Sequence, residues 1–171
     1  MLHALLIGLS AGARSMTPLA VVANAARCGT LPADNGAPSW LGHPLVSGAA
    51  KTLAAGEIWG DKLRSAPDRI VLAGIAARLV TGGIAGMALA PRRRALAGAV
   101  LGAGAAVAAS YVTFALRMRA MRRFGQTSTG LIEDALTLGA AQTVALAARS
   151  RQPIAGSPGA AMGGRLASDD A

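Results

Sequence analysis

The chain has 171 residues, 53% of them hydrophobic and only 15% charged, with mean hydropathy +0.45 and net charge +9. Soluble domains carry about 25% charged residues, and 3% aromatics leave few large side chains for an aqueous core, so the composition argues for a bilayer, where small residues let helices approach. The basic residues gather at the ends of apolar segments and form no face with interleaved aromatics, which argues against nucleic acid and for anionic lipid headgroups as the counter-charge.

Cys28 is the single cysteine, and His3 and His43 are isolated. No disulfide within the chain, no metal site and no cofactor is expected. The N-terminal apolar stretch has no basic region ahead of it and reads as mature protein, not a cleaved leader.

Residues 1–26 are apolar except for Gly12-Ala13-Arg14-Ser15-Met16-Thr17-Pro18. One reading is a single spanning helix kinked near Pro18, which lacks an N–H and clashes with the preceding turn. The other is a broken or re-entrant helix that exposes Arg14 inside the membrane, tolerable only beside buried protein or a cavity. Residues 27–43, with Pro32, Asp34, Asn35, Gly36 and Pro38, read as a loop, and Trp40 suits headgroup depth. A second helix, about 45–63, is less apolar. Its Glu57 and Asp61 share one face and need a partner or water.

The third helix, about 69–90, is long enough to cross a hydrocarbon layer. Arg78 near its middle costs roughly 2.5–3.5 kcal/mol on insertion scales, so it must face a partner or a wet cavity. Gly82, Gly83 and Gly86 follow it and would admit a second helix at close range. Arg92, Arg93 and Arg94 then mark an interface. A fourth helix, about 95–116, carries Gly98 and Gly102 in GxxxG spacing and ends at Arg117, Arg119, Arg122 and Arg123. The fifth, about 131–148, has Glu133 and Asp134 in its first turn, where negative charge suits the helix dipole. Residues 149–171 are Gly/Pro/Ser-rich and are expected to be a disordered polar tail, leaving residues 1–148 as one membrane domain.

The chain echoes itself weakly. LSAGARSMTPLAVVA lies over AGIAARLVTGGIAGM at an offset of 64 residues, pairing Arg14 with Arg78, Thr17 with Thr81 and Pro18 with Gly82. Each copy is followed by carboxylates, Glu57/Asp61 and Glu133/Asp134. Read as a duplication, the echo makes the two arginines quasi-equivalent and Glu57 and Glu133 their candidate partners.

With five spans, seven basic residues flank each side, so the positive-inside rule gives only a slight tilt toward a cytoplasmic N-terminus. Two explanations fit: a re-entrant segment has been miscounted as a span, or the protein inserts both ways. The second implies a homodimer, antiparallel, packed through the glycine faces of helices three and four.

GLSAGARSMTPLAVVANAA, GEIWGDKLRSAPDRI, ARLVTGGIAGMALA, Tyr111 after a Gly/Ala-rich helix, and LIEDALTLG stand in that order. Together they resemble a bacterial membrane family known as domain of unknown function 4126, over about residues 5–145. The resemblance implies a small glycine-rich integral membrane protein. It marks Arg14, Thr17, Pro18, Glu57, Asp61, Lys62, Pro67, Arg69, Arg78, Gly82, Glu133 and Asp134 as motif positions, and it implies no activity.

The fold expectation is an all-α, multi-pass helical bundle of four to five helices in a bacterial inner membrane. No catalytic motif stands out, and no enzyme is expected. The leading functional expectation is an ion or small-solute transporter or channel using a polar cluster of Arg14, Thr17, Glu57, Asp61, Arg78, Thr81, Glu133 and Asp134. The alternative is a non-transporting scaffold, accessory or lipid-interacting protein in which the same charges are architectural.

Overall fold

The computed structural model describes residues 1–60, 72–124 and 126–149. Those residues form six α-helices and no strand: α1 (Leu2–Ala13), α2 (Met16–Arg27), α3 (Pro44–Gly60), α4 (Leu72–Leu89), α5 (Ala95–Phe124) and α6 (Gln126–Arg149). Three stretches are long and apolar enough to cross a membrane, namely Leu72–Leu89, Arg92–Ala120 and Leu131–Arg149. The side chains sort accordingly. Ala85, Ala88 and Ala106 are wholly buried, whereas Leu72 is 84% and Leu96 76% exposed. Small residues inside and leucine outside is the distribution expected when lipid, not water, surrounds the bundle.

The centre of the bundle is α1, α4 and α5, packed almost backbone to backbone. A side chain at Gly102 would meet the Gly82 carbonyl and, at 2.9 Å, the Cα of Gly86; one at Gly86 would meet the Gly98 carbonyl. On the other flank Gly8 of α1 lies against Gly102, and Gly12 against Ala106 and Ala109. Thus α1 runs parallel to α5 and antiparallel to α4.

At Arg14 the backbone becomes extended (φ −138°, ψ 117°) and α1 ends. The helix restarts at Met16 and turns back. Val21, Val22 and Ala25 of α2 join Ala85, Ala88 and Leu89 of α4 in one core. Gly29, with φ 63°, closes α2, letting Thr30 N–H donate to the Ala25 carbonyl at 2.9 Å. The following loop then docks on the α4–α5 turn, where Gly36 N–H donates to the Ala90 carbonyl at 2.9 Å. Each leg has 12 residues, about 18 Å of helix, against the roughly 30 Å of a hydrocarbon core. Both legs run between the Arg92–Arg94 end of the bundle and the break at Arg14.

α3 runs antiparallel to α2: Lys51 Nζ donates to Asn24 Oδ1 at 2.7 Å, and Glu57 reaches Ser15 and Met16. α6 packs mainly against α1 and α2, where Ala141 and Ala148 are buried, and brings Glu133 to Arg117 of α5.

The all-α bundle is therefore as expected, and of the two readings of residues 1–26 the broken helix is the one observed. The break falls at Arg14–Ser15; Pro18 sits in the first turn of α2, where a missing N–H costs no hydrogen bond. Among the described residues this split makes six helices where four to five were expected, and three of them, against five expected spans, are long and apolar enough to cross a membrane. It also moves the start of α1 to the side of Arg92–Arg94, opposite to where five alternating spans would put it. α5 runs on to Phe124 because RMRAMRRF contains neither Gly nor Pro, and Gly125 comes first after it. The two arginines of the internal echo occupy different settings, Arg14 in a break and Arg78 inside continuous α4. Asp61, Lys62, Pro67, Arg69 and the polar tail lie outside the described residues.

Candidate functional site

Breaking a helix inside a bilayer leaves carbonyls without partners at the end of α1 and N–H groups without partners at the start of α2. Each end is met by a side chain from another helix, of the sign its dipole favours. At the start of α2, Glu57 of α3 accepts hydrogen bonds from Ser15 N–H (3.0 Å) and Ser15 Oγ (3.1 Å) through Oε1, and from Met16 N–H (2.9 Å) through Oε2. At the end of α1, the Gly12 carbonyl accepts from Arg78 Nε of α4 at 3.1 Å and from Thr113 Oγ1 of α5 at 3.4 Å. An anion closes the N-terminus and a cation the C-terminus.

Arg14 lies in the break and is 1% exposed. One guanidinium nitrogen donates to the Glu57 backbone carbonyl at 3.1 Å, near the C-terminal end of α3. Another forms an ion pair with Asp134 of α6. One residue earlier on α6, Glu133 pairs with Arg117 of α5 at 3.0 Å. Three arginines and three carboxylates thus form one layer to which α3, α4, α5, α6 and the break all contribute, and its formal charges sum to zero. That neutrality makes the layer tolerable at this depth, because each charge has lost water but gained a partner.

Of the expected cluster, the structure brings together Arg14, Glu57, Arg78, Glu133 and Asp134. Thr81 is buried beside them, but its hydroxyl donates to its own helix, at the Ala77 carbonyl, 2.9 Å away. Thr17 is buried in the first turn of α2, and its hydroxyl has no hydrogen-bond partner among the described residues. The same holds for Asp134 Oδ2. Asp61 lies outside the described residues.

Sequence reasoning missed Arg117, Ser15 and Thr113. Arg117 looked like the end of a span, because arginines after an apolar run usually mark an interface. Ser15 could have been found: a serine next to a helix restart is a standard cap position. Among the packing glycines, Gly82, Gly86, Gly98 and Gly102 make the close contacts, whereas at Gly83 an added side-chain carbon would stand 3.6 Å from the Ala99 carbonyl, an ordinary distance. Gly8 and Gly12 of α1 join the packing unexpectedly.

Comparison with known proteins gives one match. The sequence model for a domain of unknown function (DUF4126) covers residues 1–150. No curated protein and no solved structure matches the chain.

Proposed function

The chain belongs to the family described as a domain of unknown function (DUF4126), and on that footing we propose that it is a non-transporting membrane scaffold whose charge layer is a static lock. The observation that carries this reading is that every carboxylate in the layer is already engaged, Glu57 by the α2 N-terminus, Asp134 by Arg14 and Glu133 by Arg117. A conduction site needs ligand atoms free to exchange; here both oxygens of Glu57 are taken by the α2 N-terminus, and Asp134 and Glu133 are each held by an arginine. In this reading the protein resides in a bacterial inner membrane, has no enzymatic role and no nucleic-acid partner, and contacts anionic headgroups through the arginines that end its spans. The glycine faces of α4 and α5 are taken up within one chain, so a homodimer forms through the leucine-rich outer faces instead.

The test is flux. Purified protein in liposomes should move protons and monovalent ions no faster than empty vesicles, while Glu57→Gln and Glu133→Gln lower its melting temperature. Flux above background that either substitution abolishes, with folding intact, would overturn the scaffold reading.

One observation favours a second reading, ion or small-solute transport. Broken helices whose ends face each other are used by transporters to hold ions, and Asp134 Oδ2 and the Thr17 hydroxyl are buried acceptors without a hydrogen bond among the described residues. The internal echo would then be a duplication serving that site.

A further inference from the structure

α5 and α6 follow one another directly, separated by one residue, yet they touch far less than α4 and α5 do. Beside the Arg117–Glu133 pair the space between them opens into a groove of about 290 Å³, walled by Thr113, Leu116, Ala120, Ile132 and Leu136. That is room for about ten waters at roughly 30 Å³ each, but an apolar space of this kind holds hydrocarbon in preference to water. Arg117 and Glu133 close on one another and add no net charge to the groove.

A second cavity, about 550 Å³, shares Leu116 and Ala120 with the first and carries Arg119 and Arg122. These two arginines are exposed and take part in no ion pair among the described residues. They stand three apart, on neighbouring turns of α5, just beyond the apolar stretch that ends at Leu116. An apolar groove therefore leads to a cationic notch at the end of the candidate span of α5.

We propose that one anionic phospholipid occupies this cleft, an acyl chain in the groove between α5 and α6 and its phosphate on Arg119 and Arg122. Charge complementarity selects this occupant: a zwitterionic lipid brings no net charge to the two arginines, and a purely apolar helix would leave them unanswered. Arg92–Arg94, at the opposite end of α5, are equally exposed but line neither of these two cavities. They serve as the control. The inference goes beyond the scaffold reading and is independent of whether the charge layer conducts.

Native mass spectrometry of the full chain in detergent would test it, with phosphatidylglycerol and phosphatidylcholine added at equal concentration. The expected result is one phosphatidylglycerol retained per chain, in preference to phosphatidylcholine. The double substitution Arg119→Gln with Arg122→Gln should weaken retention by about thirtyfold, since each basic side chain near a membrane surface contributes separately to anionic-lipid attraction. Ala120→Leu, which narrows the groove while keeping both arginines, should weaken it too. Arg92→Gln with Arg93→Gln should leave it unchanged. Melting temperature, read on each variant, confirms that the fold is retained. Equal retention of both lipids, equal loss in the Arg92/Arg93 control, or a lipid-free dimer would each overturn the proposal.

Discussion

Between residues 82 and 106 the contact of α4 with α5 contains no charge and hardly a side chain; between residues 113 and 134 the contact of α5 with α6 is built around an ion pair. The first region is held by shape. Gly82, Gly86, Gly98 and Gly102 bring backbone onto backbone, and nothing there changes with the ionisation of any group. The second is held by partner choice. Its ion pair belongs to a layer of six charges, acceptable inside the bundle only because each meets an opposite charge or a helix end. The two regions should therefore fail differently, one to added volume and the other to unbalanced charge.

The sharpest way to break the comparison is Arg14→Met. It keeps most of the side-chain volume but leaves Asp134 facing no cation and the Glu57 carbonyl without its donor. Removing one partner of a buried pair typically costs about 3–5 kcal/mol. Equilibrium unfolding in detergent should show a loss of that size, and adding Asp134→Asn should recover part of it. Unchanged stability in the single variant would mean that the layer is not what holds the break.

Gly102→Ala should come next. The new methyl would collide with the Gly82 carbonyl and approach the Gly86 Cα, both of them backbone that cannot rotate away. Overpacking of this kind costs about 1–3 kcal/mol. Because no charge is involved, the loss should be the same at low and high salt, which the same unfolding measurement can read.

Glu57→Gln should be milder, since the amide oxygen still accepts from one of the two N–H groups at the α2 N-terminus. What goes is the hydrogen bond from the other N–H, which the amide nitrogen cannot accept, and the attraction of a full negative charge for the helix dipole, about 0.3–1 kcal/mol, or up to ~2 where partly buried. A loss as large as that of Arg14→Met would show that Glu57 does more than cap.

The two regions were also unequally legible. The spacing of Gly98 and Gly102 and the run Gly82, Gly83, Gly86 announced close packing, because a small-residue pattern is a local property of a helix. Arg14, Arg78, Glu57, Glu133 and Asp134 could be picked out one by one, since a charge in an apolar run needs a reason. Their pairing could not. Glu57 bonds to backbone N–H groups and Arg78 to the Gly12 carbonyl, and every residue has such groups, so no spacing reveals them. The position of the break was hidden for a related reason. Pro18 drew attention as the helix breaker, but the chain separates at Arg14 because tertiary partners exist there to cap both ends.

Gly83 offers the smallest and most discriminating test of which glycines the packing needs. It sits next to Gly82 and shares its local sequence, so sequence alone groups them. In the structure an added carbon at Gly82 would stand 2.6 Å from the Ala106 Cβ, whereas at Gly83 the nearest atoms are 3.6 and 3.7 Å away. Gly83→Ala should thus be accommodated without strain. It also removes backbone freedom from the unfolded chain and raises helix propensity, effects worth about 0.4–1 kcal/mol. Gly83→Ala should then leave stability unchanged or raise it by up to ~1 kcal/mol, while Gly82→Ala lowers it. A matching loss at both positions would mean that α4 presents a broader face to α5 than one row of glycines, and the shape-held region would extend around the helix toward Ala99 and Ala103.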